Sequence, residues 1–94
     1  MENNSSFELY KMISNLVQRK SYAELEQLLI ANKPIITIPI LNELLELPLH
    51  DSIVNAHRNL YSTIVEVADI NKAQLTLRHS IQVASIKLAI EKLT

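Results

Sequence analysis

Apolar residues recur along this chain at three- and four-residue intervals, the spacing of one face of an α-helix. Phe7, Tyr10, Ile13, Leu16 and Val17 form the first stripe. They predict a helix over residues 6–18, capped by Ser5 or Ser6, with Arg19 and Lys20 at its negative end. Ser21-Tyr22-Ala23-Glu24 reads as a capping box that opens a second helix. Tyr22, Leu25, Leu28 and Leu29 share its apolar face, and it ends near Asn32, before Lys33-Pro34. Asparagine there can take the left-handed cap conformation usually given to glycine.

Residues 33–38 break the helical rhythm. Ile35, Ile36, Thr37 and Ile38 are mostly β-branched and lie between prolines, but one strand cannot make a sheet. The expectation is an extended linker whose isoleucines plug a core. A short third helix follows over residues 39–47, with Ile40, Leu41, Leu44 and Leu45 on its apolar side and Pro48 as its stop. Asp51 then caps a fourth helix whose buried stripe is Ile53, Val54, His57, Leu60, Tyr61, Ile64, Val65 and Ala68. A break at residues 69–71, with Asn71 as cap, starts a last helix over residues 72–93.

That last helix carries two apolar stripes. Leu77, Ile81, Ala84 and Leu88 lie on one side, and Val83, Ile86, Ile90 and Leu93 lie roughly opposite. A helix with this pattern is either central in its own domain or shared between chains. The first stripe reads as the core side. The second, Val83, Ile86, Ile90 and Leu93, reads as the interface of a homodimer. The fold class expected is therefore all-α: a small bundle of four to five helices with a long C-terminal helix, dimeric, in a single domain over residues 1–94 with a flexible N-terminus at residues 1–5.

Composition narrows the chemistry. The 94 residues are 48% hydrophobic but only 4% aromatic, so Leu and Ile supply most of the core. Cysteine and glycine are both absent. No disulfide framework, thiolate metal site or cysteine nucleophile can form, and Gly-rich phosphate loops are excluded in their usual form. Positive-φ turns must fall to asparagine or be avoided. Net charge is −1, leaning acidic in the first half and slightly basic in the second, with no block of like charge. The polar N-terminus is not a signal sequence, and no apolar run approaches the roughly 20 residues of a membrane span. A soluble, cytoplasmic protein is expected.

Candidate sites are few. Residues 39–62 have the lengths of a helix-turn-helix, in which Asn55, Arg58 and Asn59, joined by Arg78, would contact DNA. Only one basic residue, Arg58, lies in that expected reading helix, and the turn lacks glycine. Leu25-Glu26-Gln27-Leu28-Leu29 and Leu41-Asn42-Glu43-Leu44-Leu45 share a Leu-x-x-Leu-Leu pattern, but nothing else recurs around them and core packing accounts for both. His50, His57 and His79 have no metal-ligand spacing, and His57 reads as a packed residue. Tyr10, Tyr22 and Tyr61 read as core-edge aromatics with hydroxyls at the surface. No nucleophile elbow or paired-carboxylate spacing is visible. The reading is a non-enzymatic protein-interaction or regulatory module, without cofactor or metal, that forms a homodimer or binds another protein. The alternative is a small helix-turn-helix DNA-binding regulator.

Overall fold

The stretches between the expected helices carry stop signals, and the helices follow them except at His57, where the expected fourth helix divides. In the computed structural model the described residues are 2–92, with side chains from Phe7 to Lys92. Among them lie six α-helices: α1 (Glu2–Arg19), α2 (Tyr22–Asn32), α3 (Ile38–Leu44), α4 (Asp51–Ala56), α5 (Arg58–Ile70) and α6 (Leu77–Lys92). Short 3₁₀ turns at Lys33–Ile35 and Lys72–Gln74 precede α3 and α6. The radius of gyration, 12.6 Å, matches the roughly 13 Å of a compact 100-residue domain. The all-α class and the long last helix are as expected. α1 takes in Glu2 onward, ahead of the expected start near Ser6. Met1, the remainder of the expected flexible N-terminus, lies outside the described residues.

The first turn shows what a chain without glycine does when it needs a positive φ. Lys20, at φ 55°, is the left-handed residue that ends α1. Its N–H donates to the Val17 carbonyl at 3.1 Å, and the Ser21 N–H donates to the Leu16 carbonyl at 3.0 Å, which together form a Schellman motif. A Cβ in this conformation costs about 1–2 kcal/mol. Lys20→Gly should therefore raise stability by about 1 kcal/mol after the extra unfolded-state entropy of glycine is subtracted, read as a higher urea midpoint at unchanged m-value. The same motif corrects the expected capping box. The Ser21 N–H that Glu24 would accept is already given to Leu16, and the Ser21 side chain makes no cap hydrogen bond.

The asparagines work otherwise than expected. Neither is left-handed: Asn32 has φ −126° and Asn71 φ −106°. Each instead turns its side-chain amide back onto a helical carbonyl. Asn32 Nδ2 donates to the Leu28 carbonyl at 2.8 Å, and Asn71 Nδ2 to the Val67 carbonyl at 2.9 Å. In both places a 3₁₀ turn follows, then an extended aliphatic residue, then a threonine N-cap position and a helix. Asn32-Lys33-Pro34-Ile35-Ile36-Thr37-Ile38 thus matches Asn71-Lys72-Ala73-Gln74-Leu75-Thr76-Leu77 in sequence and in conformation. The expected extended linker over residues 33–38 is extended only at Ile36 and Thr37, and Ile36 does plug the core. At the second site Thr76 Oγ1 accepts the His79 N–H at 3.2 Å and caps α6, which starts at Leu77 rather than residue 72.

The helices share one core. α1 packs on α2 and α3, α5 on α2 and α3, and α6 on α4 and α5. Leu25 and Leu29 of α2 and Ile64 and Ala68 of α5 belong to one buried cluster. The expected fourth helix divides at His57 (φ −129°), whose ring stacks on Tyr22 at 4.3 Å between centroids. No proline or glycine marks this break. It lets α4 lie on α6 while α5 follows α2 and α3.

Candidate functional site

The most unusual surface is the outer face of α6. Its inner face is set by the two helices beneath it, α4 and α5. Val83 is 5% exposed, Ile86 1%, Ala89 is buried, and Ile90 packs half-buried against the core. The opposite side is bare: Leu77 is 79% exposed, Ile81 58% and Leu88 55%, with exposed Ala84 between them. The two stripes have thus exchanged the roles expected of them. Val83, Ile86 and Ile90 were expected at an oligomer interface, and they are spent within the chain; Leu93 lies outside the described residues. The expected core stripe Leu77, Ile81, Ala84 and Leu88 is the one left open. A helix wheel shows two stripes but not which one the rest of the chain covers.

The open stripe has the four-three-four spacing of a helix-pairing seam, with the small Ala84 allowing close approach. One border carries two basic residues: Arg78 and Lys92, with Ser85 between them at heptad spacing, all exposed. On the other border Lys87 is compensated by Asp69, 3.0 Å away. Glu91 stands near the end of that border. No described hydrogen bond crosses the stripe itself; the Ser85 hydroxyl bonds back to the Ile81 carbonyl at 3.1 Å.

A second apolar surface lies between α1 and α2. Met12 and Leu16 of α1 and Ala23, Gln27, Leu28 and Ala31 of α2 line an open groove of about 590 Å³. Glu24 is the charged residue in its wall. The groove exists because Ala23 and Ala31 present only methyl groups on the outward side of α2, while Leu25 and Leu29 turn inward. Ile30, also exposed, extends the apolar surface along α2.

The expected DNA-contacting residues are placed differently from one another. Asn55 lies on α4, Arg58 and Asn59 on the first turn of α5, and Arg78 on α6, all exposed. The expected reading helix is not one rod, because His57 divides it and leaves α4 only six residues long. The three histidines do not converge. His50 is exposed, His57 stacks on Tyr22, and His79 Nδ1 lies 3.0 Å from Thr76 Oγ1 beside the α6 cap. Among the described residues no three His, Asp or Glu side chains group to hold a metal ion. Among them, too, no helix is long and apolar enough to cross a membrane.

Tyr61 departs from expectation. It is wholly buried, and its hydroxyl donates to the Pro48 carbonyl. Burial, with a smaller repulsion from Tyr22, raises its phenol pKa far above the ordinary value. It is a structural tie between α5 and the loop before α4, not a surface anchor.

The internal match around Asn32 and Asn71 was present in the sequence. Its signal, Asn-Lys-x-x-aliphatic-Thr-aliphatic, is short and falls in the least helical stretches, where stripe-based reading does not look. Comparison of the chain with protein-family models, with curated proteins and with solved structures yields no match.

Proposed function

We propose that this chain is a non-enzymatic protein-interaction module that works through the outer face of α6, as an oligomer or on a partner protein. The observation that carries this reading is the exposure of Leu77, Ile81 and Leu88 on the side of α6 opposite the core. Scattered apolar residues on a surface need no explanation, but three aliphatic side chains in a helix-pairing register do. Burying a Leu or Ile side chain is worth roughly 1.5–3 kcal/mol, so the stripe is a substantial driving force for association. Its registry favours a helix as the occupant: knobs at Leu77, Ile81 and Leu88 leave a hole at Ala84.

The test uses sedimentation velocity over rising concentration, with titration of a designed helical peptide bearing Leu at heptad positions and Glu on both borders. The expected result is self-association or peptide binding by the wild type, abolished in Ile81→Asp with unchanged far-ultraviolet circular dichroism. Association that survives both Ile81→Asp and Leu88→Asp would sink the reading. So would a wild-type chain that stays monomeric and leaves the peptide unbound.

A further inference from the structure

We infer that the occupant of the α6 face is the α1/α2 groove of a second copy, so that chains join head to tail. This rests on the α6 reading above and names its partner. Three observations lead to it.

The first is that the chain carries two complementary apolar surfaces. One is convex, with Leu77, Ile81 and Leu88 projecting from α6. The other is concave, the groove floored by Ala23 and Ala31. From Leu77 to Leu88 is about 16 Å of helix and from Ala23 to Ala31 about 12 Å, so ridge and groove are comparable in length.

The second is charge. The ridge is bordered by Arg78 and Lys92, and the groove wall carries Glu24. Glu24 is available for a partner because the Schellman motif has taken the Ser21 N–H it would otherwise accept. A symmetric antiparallel pairing of two α6 faces would instead gather Arg78 and Lys92 of both copies along one edge, leaving Glu91 on the other edge with Lys87.

The third is that both surfaces belong to one chain and share no residue: the groove is lined by α1 and α2, the ridge by α6. A contact of ridge in groove is heterologous: it uses different surfaces on the two copies and leaves one of each unpaired, so growth is open unless a ring closes.

The experiment pairs two single variants. Ile81→Asp spoils the ridge and keeps the groove; Ala31→Arg fills the groove and keeps the ridge. Both positions are exposed, and circular dichroism checks that each variant folds. Sedimentation velocity of wild type should show mass rising past the dimer with concentration. Each variant alone should be a monomer. An equimolar mixture should form a heterodimer and grow no further, because each junction-competent surface is then used once. A wild type that stops at a dimer, with Ala31→Arg still dimeric and no gain on mixing, identifies a symmetric α6 pairing; it overturns the head-to-tail inference while the α6 reading stands. A monomeric wild type that binds the Glu-bordered peptide through Ile81 does the same, in favour of a foreign helix. A monomer that ignores the peptide overturns both, as does one that binds phosphatidylserine vesicles through the α6 stripe instead.

Discussion

Ile86→Asp should unfold the domain, whereas Ile81→Asp, about one turn earlier on the same helix, should leave its stability within about 0.5 kcal/mol of wild type at concentrations low enough that the wild type is monomeric. Ile86 is 1% exposed and sits among the residues that α4 and α5 press against α6. A carboxylate there has no partner, so it must either stay charged without water or take up a proton; either way the cost is above about 4 kcal/mol. A domain of this size holds roughly 5–14 kcal/mol in total, and loses most of it. Ile81 is 58% exposed, and its replacement removes little from the folded chain. Urea titrations followed by circular dichroism decide the matter. If Ile86→Asp kept a wild-type midpoint while Ile81→Asp unfolded, the inner and outer faces of α6 would be the reverse of those described.

The second large effect is at Tyr61. Tyr61→Ala removes a wholly buried ring and should cost about 3–5 kcal/mol, the range for aromatic truncation in a core. Tyr61→Phe keeps the ring and leaves the Pro48 carbonyl without its donor, costing about 1–3 kcal/mol. The two variants separate packing from hydrogen bonding. The hydroxyl also sets an alkaline limit. Its folded pKa is raised above the unfolded value near 10, chiefly by burial. The folded state therefore holds this proton where the unfolded state releases it. The contribution is fully present below pH 10 and is lost as pH climbs beyond it toward the folded value. Wild-type stability should fall above pH 10 more steeply than that of Tyr61→Phe. Equal slopes in the two proteins would assign the alkaline loss to other groups.

Much of the local structure was legible in the residues. The pair Ile13-Leu16, the pair Leu25-Leu29 and the run Leu60-Tyr61-Ile64-Ala68 bury the side that helical spacing assigns to them, but Phe7, expected on the first stripe, is exposed, and Leu9 is buried in α1 instead. Asn32 marks a helix end and the chain does break between α5 and α6, whereas α3 stops at Leu44, short of the expected end at Pro48. What was misread was how those ends are made. Without glycine the chain needs one left-handed residue, and it uses Lys20 rather than an asparagine. A local hydrogen bond from an asparagine amide to a carbonyl four residues back serves as well as a left-handed cap, and residue type alone does not distinguish the two. The division at His57 had no local mark. It follows from the different neighbours of α4 and α5, and tertiary contact overrides helix propensity there.

The candidate site shows the same limit more sharply. Both stripes of α6 were visible, Leu77-Ile81-Ala84-Leu88 and Val83-Ile86-Ile90-Leu93, because side-chain direction along a helix is set by its own geometry. Which stripe is core depends on where α4 and α5 come to rest, and that is a property of the packed chain. The roles came out exchanged for that reason. The α1/α2 groove was not legible at all. It arises from two helices meeting beside a pair of alanines, and no single stretch encodes it. By itself, then, the sequence determined a helical chain with more apolar helix surface than one layer can cover. Only the tertiary structure decided that the surplus lies at Leu77, Ile81 and Leu88, because burial is a relation between helices and periodicity is a property of one.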